Sequence, residues 1–250
     1  MEVLINEIKV YYEEYGSGIP ILFLHGWGND LNSFYKQIEY FKDKYHLFLL
    51  DLPGFGKTEE PNIAYNLNNY VDIVHEFVQK IINNKELIII THSFGSRIAI
   101  KLTSFFHVKG LIIISGAGIK HLKMKKKIKI LYYKIKKQYY KLTKNYLDYN
   151  LLIKNSGSSD YISLSSTMKE TMNLVIKEDL RKCLNKIKVK TLLIYGDSDT
   201  ETPYIDGIIM NKKIKDSYLY KIENGNHFIH IENSSIVNDI IERFISDIND

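Results

Sequence analysis

One cysteine, one tryptophan and four prolines are all that this 250-residue chain has of those residue types. A lone thiol, Cys183, cannot close an intrachain disulfide, so the fold has to rest on a packed core, and a reducing, cytoplasmic compartment is expected. Cys183 itself lies in a lysine-rich helical stretch with no histidine close by, and reads as structural. Long apolar runs are missing too. Leu87-Ile88-Ile89-Ile90 is among the longest, the length of a strand and far below the roughly 20 residues of a membrane helix. The N-terminus carries Glu2 and Glu7 and lacks the basic start and apolar stretch of a secretory leader. There is no repeat of solenoid length. No Walker-type phosphate loop, dinucleotide glycine fingerprint or zinc-ligand spacing occurs, so no cofactor, metal or nucleic-acid partner is expected.

Acidic residues are absent from one long stretch. Residues 87–147 contain no Asp or Glu and 14 Lys or Arg, 11 of them lysines between Lys120 and Lys144. The remainder is acidic, with 20 positive residues against 29 carboxylates, although the formal net charge is +5. A solvated lysine face in an Ile-, Lys- and Asn-rich chain is the favoured reading of this block; recruitment of an anionic partner is the sharper alternative.

What is present is an ordinary globular composition, 45% hydrophobic and 25% charged. Short apolar or alternating runs predict strands at 8–15, 21–25, 46–52, 87–91, 110–115, 191–195 and 217–222. Apolar spacings of three and four predict helices at 31–41, 67–82, 94–106, 204–211 and 235–248. Strands that alternate with amphipathic helices imply a mostly parallel central sheet covered on both faces. About 75 residues separate the strands at 110–115 and 191–195, far more than one crossover needs. In that insert Met124, Ile128, Leu131, Ile135, Tyr139, Leu142 and Tyr146 describe one helical face. A helical cap over residues 117–184 is therefore expected, with residues 1–116 and 185–250 forming the core.

Several candidate chemical groups follow strands. Thr91-His92-Ser93-Phe94-Gly95 lies between an apolar strand and a helix. A sharp turn there would lift the Ser93 hydroxyl above the sheet edge, with the N–H groups of the helix start facing developing negative charge. The competing reading is a chance S-x-G at a helix start. His25-Gly26-Trp27-Gly28, Asp51-Leu52-Pro53-Gly54-Phe55-Gly56-Lys57-Thr58, Gly196-Asp197-Ser198-Asp199 and Gly225-Asn226-His227-Phe228 each follow another strand.

Five motifs in this order resemble the α/β-hydrolase superfamily, in its esterase-like branch with a cap after the sixth strand. The resemblance spans nearly the whole chain outside the insert. It implies the α/β-hydrolase fold and a catalytic triad of Ser93 as nucleophile, Asp199 as acid and His227 as base. It also implies an oxyanion hole made by the backbone N–H groups of Trp27 and Phe94. Asp197 competes with Asp199, and His230 is a weaker competitor of His227. The HGWG start is similar to that of esterases acting on a methyl ester of a carrier-bound acyl chain. Two positions depart from the family pattern: Thr91 and Ser96 stand where glycines are usual, and a β-branched Thr crowds a tight turn. The function implied is cleavage of a carboxylic ester of a small or medium acyl substrate. Thioester or peptide hydrolysis and a triad-retaining small-molecule receptor remain as alternatives.

Overall fold

The computed structural model describes residues 1–83, 86–121, 136, 138–140, 142, 143 and 164–249. An eight-stranded sheet runs through the molecule in the order β1-β2-β4-β3-β5-β6-β7-β8. Its strands are β1 (Glu2–Ile5), β2 (Ile8–Tyr15), β3 (Pro20–Leu24), β4 (His46–Leu50), β5 (Ile88–His92), β6 (Gly110–Ile114), β7 (Thr191–Gly196) and β8 (Ser217–Ile222). β1 and β2 are antiparallel to their neighbours, and the six strands from β4 to β8 across the sheet are parallel. This is the mostly parallel sheet expected from the alternation of strands and helices.

Strand β1 has no counterpart among the expected elements. It pairs with β2 through a two-residue loop, Asn6-Glu7, in which both residues have positive φ, 47° and 65°. Positive φ at both loop residues is the geometry that lets a tight hairpin follow the twist of its strands. The loop has Asn but no Gly, so the usual composition signal is half missing.

Helices among the described residues include α1 (Tyr35–Phe41), α2 (Leu67–Phe77), α3 (Phe94–Thr103), α4 (Ser166–Val175), α5 (Arg181–Leu184), α6 (Tyr204–Lys213), α7 (Ile229–Glu232) and α8 (Ser234–Asp247). The expected helix at 31–41 begins as a 3₁₀ turn over Leu31–Phe34. The one at 67–82 loosens into a π turn over Val78–Ile82. Period-2 geometry sends alternate strand side chains to opposite faces. Leu22 and Leu24, Ile89, Leu111 and Ile113, and Leu193 join α2 and α3 in one core. Ile21 and Phe23, Ile88 and Ile90, Ile112 and Ile114, and Leu192 and Ile194 join α1 and α8 in the other. Strands buried on both faces carry continuous apolar runs for this reason.

The candidate chemical groups all follow the C-terminal ends of β3, β4, β5, β7 and β8, along one edge of the sheet. That edge is where open α/β sheets hold ligands. The helical face expected between Met124 and Tyr146, and the lysine block with it, lies outside the described residues apart from Lys120, Lys136, Tyr139 and Leu142. Among the described residues no helix is long and apolar enough to cross a membrane.

Candidate active site

Ser93 closes the turn from β5 into α3 with φ 47° and ψ −108°. A non-glycine residue in that region costs on the order of 1–3 kcal/mol and persists only when its surroundings hold it. They do so here through the backbone. The Ser93 N–H donates to the Ile114 carbonyl at 3.2 Å, and the Ser93 carbonyl accepts from the N–H groups of Ser96 and Ala117, each at 3.1 Å. Gly95 donates to the His25 carbonyl at 3.1 Å. A Cβ on Gly95 would lie 2.2 Å from the Leu24 carbonyl oxygen, so only glycine lets α3 start this close to β3.

The two unusual residues of this turn meet each other. Thr91 Oγ1 and Ser96 Oγ are 2.8 Å apart, and Thr91 Oγ1 donates to the Ile112 carbonyl at 3.1 Å. With the Thr91 proton engaged there, the Ser96 hydroxyl is the donor of the pair.

His25 pins the loop beside it. The Leu52 N–H donates to His25 Nε2 at 3.0 Å, and so Nδ1 carries the proton, donated to the Gly26 carbonyl at 2.8 Å. Burial holds this imidazole below its usual pKa, in its neutral form. Asp51 ties the neighbouring turn by accepting from the N–H groups of Leu31 and Lys57, each at 2.8 Å. Trp27 packs edge-on against Phe55 and Phe94, with ring centroids 4.9 and 5.3 Å away. Among the described residues neither the Trp27 nor the Phe94 backbone N–H donates to a protein acceptor.

Asp199 and His227 are brought together from loops after β7 and β8. His227 Nδ1 lies 2.9 Å from Asp199 Oδ2. Asp199 Oδ1 accepts from the N–H groups of Glu201 at 2.8 Å and Thr202 at 2.9 Å. The Thr202 hydroxyl is 2.8 Å from Asp199 Oδ2. Burial opposes the Asp199 charge, yet the bonds from His227 and Thr202 outweigh it and hold the carboxyl below its ordinary pKa. Asp197 instead faces outward, 3.8 Å from the Lys221 ammonium. His230 is completely buried and stacks on His92 with centroids 4.2 Å apart. His92 in turn donates through Nε2 to the His227 carbonyl at 2.9 Å, tying the His227 loop to the residue before Ser93.

Three contributors escaped the sequence reading. Thr202 carries no motif, and its role exists only once the loop folds back on Asp199. Glu201 places a carboxylate oxygen 3.6 Å from His227 Nε2. Arg97 is buried on α3, one turn after Ser93, and its Nη2 donates to the carbonyls of Val175 at 2.8 Å and Glu178 at 2.5 Å. It thereby fastens the end of α4 to the helix that begins at Ser93. Arg97 is the one Asp, Glu, Lys or Arg between Glu86 and Lys101, and that was the available signal for it.

Comparison with known proteins identifies the family. The family model described as "alpha/beta hydrolase fold" matches residues 19–161, more than half of the chain. An AB hydrolase superfamily protein of Bacillus subtilis (strain 168) is 25% identical over 258 residues, covering 96% of each chain. A pimeloyl-[acyl-carrier protein] methyl ester esterase of Wigglesworthia glossinidia brevipalpis is 28% identical, covering 94% of this chain and 96% of the relative. The solved esterase from Exiguobacterium antarcticum superposes with a TM-score of 0.77 at 22% identity, over 98% of both chains. With a doubly covered parallel sheet and chemical groups gathered along its C-terminal edge, the chain belongs to the α/β-hydrolase fold family and is an enzyme of the hydrolase class.

Proposed function

We propose that this hydrolase is a serine esterase that cleaves a carboxylic ester of a small or medium acyl substrate. The observation that carries the reading is the 2.9 Å contact between His227 Nδ1 and Asp199 Oδ2, on the same sheet edge as the strained Ser93 turn. Ser93 is the nucleophile, His227 the base and Asp199 the acid of the triad.

The chemistry follows from the residue types. A serine hydroxyl attacks poorly until a base takes its proton. His227 Nε2 takes the Ser93 proton as Oγ bonds to the ester carbonyl carbon. Asp199 holds the proton on Nδ1 and stabilises the imidazolium. Negative charge builds on the carbonyl oxygen, where the N–H groups of Trp27 and Phe94 receive it. The C–O bond to the alcohol then breaks, and His227 Nε2 returns the proton to the departing oxygen. Water, activated by the same imidazole, releases the acid from Ser93.

Residues 117–184 act as a cap over residues 1–116 and 185–250, and shape the acyl pocket; the lone thiol fits a cytoplasmic enzyme. The named relatives include esterases, which supports ester over thioester or amide. A fluorophosphonate probe tests the assignment. Stoichiometric labelling that disappears in Ser93→Ala is expected, and labelling that survives the substitution would overturn it. Rates on p-nitrophenyl esters of graded length, beside matched thioesters and amides, then rank the bonds cleaved.

A further inference from the structure

His227 lies between two carboxylates. Asp199 occupies its Nδ1 side at 2.9 Å, and Glu201 Oε2 lies 3.6 Å from its Nε2. The two acids differ in setting. The Asp199 side chain is fully enclosed, whereas the Glu201 side chain is 68% exposed. Glu201 is held near His227 by its backbone, because its N–H donates to Asp199 Oδ1 at 2.8 Å.

We infer that Glu201 sets the charge preference of the alcohol side of the site, favouring esters of cationic or neutral alcohols over esters of anionic ones. The inference rests on the triad reading above. In that reaction Nε2 is the atom that hands a proton to the departing alcohol oxygen, so the alcohol's first few atoms must pass beside Nε2. A carboxylate 3.6 Å from that nitrogen is therefore a neighbour of the leaving group rather than of the acyl chain. Its field attracts a positive alcohol substituent and repels a negative one. Two unit charges a few ångströms apart interact by about 1 kcal/mol in water and more near a protein surface. Exposure and salt reduce this, so a discrimination on the order of tenfold between opposite charges is expected at low ionic strength. Asp199 cannot supply it, because its charge is engaged by His227 and Thr202.

The test uses three esters of butyrate that share one acyl group: the choline ester, its uncharged 3,3-dimethylbutyl analogue and the ester of 4-hydroxybutanoate. The ratio of kcat/KM for the cationic over the anionic ester is measured in the wild-type chain, Glu201→Gln and Glu201→Lys. Ratios within one enzyme cancel any general loss of activity or folding. A wild-type ratio above one that drops about tenfold in Glu201→Gln, inverts in Glu201→Lys and shrinks with added salt supports the inference. A ratio that is the same in all three chains, with hydrolysis still lost in Ser93→Ala, overturns the role of Glu201 and leaves the esterase reading standing. Hydrolysis that persists in Ser93→Ala overturns both.

Discussion

The hydroxyls of Thr91 and Ser96 lie 2.8 Å apart, and both side chains are completely buried. They occupy the positions flanking the Ser93 turn where a glycine would leave only space. A bonded pair fills that space instead, anchored by the Thr91 donation to the Ile112 carbonyl on the neighbouring strand. The crowding expected from a β-branched residue is absorbed because the turn itself, at Ser93, is built from backbone bonds to Ile114, Ser96 and Ala117.

A double-mutant cycle on this pair has a defined sign. Thr91→Val leaves the buried Ser96 hydroxyl without its acceptor, which costs about 1–3 kcal/mol. Ser96→Ala removes a donor and costs less, about 1 kcal/mol. The double variant should be more stable than the sum of the single losses predicts. Urea unfolding of the four chains measures this; strict additivity would show that the two hydroxyls do not interact.

The two candidate acids should separate in kinetics. Asp199→Asn is expected to lower kcat by about 10³–10⁴, because the amide would hold the wrong imidazole tautomer. Asp197→Asn should cost little, since that side chain faces Lys221 at the surface. Steady-state rates with one p-nitrophenyl ester decide between them, and a larger loss in Asp197→Asn would reverse the assignment.

Two glycines near the site should respond differently to alanine. At Gly95 the added Cβ would meet the Leu24 carbonyl oxygen at 2.2 Å, and backbone cannot yield as a side chain can. Gly95→Ala is expected to cost about 3 kcal/mol or more and to abolish activity. Gly28 has φ +74° with nothing among the described residues within 4 Å of an added Cβ. Gly28→Ala should cost only the conformational strain, about 1–2 kcal/mol. Thermal unfolding of the two variants checks the order.

Stability should fall as the solution is acidified from neutrality, even before carboxylates titrate. Burial, reinforced by the neighbouring His227, pushes His230 down to about 3 from 6.5. Burial also holds His92 well below its usual value. Between those limits the unfolded chain binds more protons than the folded one, so stability is full above about pH 6.5 and declines as pH drops toward 3. His230 sits among the rings of His92, Phe34 and Phe228, which would accept an aromatic hydrocarbon. His230→Phe should flatten the dependence of Tm on pH between about 6.5 and 4.5. An unchanged slope would place the titrating groups elsewhere.

Much of the molecule was legible in the chain because its signals are local. Continuous runs such as Leu87–Ile90 announce strands buried on both faces, and Ser93, Asp199 and His227 each sit in a short motif directly after a strand. Connection order then implies which sheet edge they share. Tertiary structure decided what depends on partners distant in sequence. The hydroxyl of Thr202 reaches both Asp199 and the Ser115 carbonyl, and the Arg97 guanidinium finds carbonyls some eighty residues away. His92 and His230 are ordinary in sequence, and they become stacked, buried and hard to protonate only when α7 folds beneath β5. The same holds for Thr91 and Ser96. Read singly, each is a poor substitute for glycine, and only the packed turn shows that they satisfy one another. A motif names residue types along the chain, whereas hydrogen-bond partners, burial and the field at a given atom are properties of groups that folding brings together.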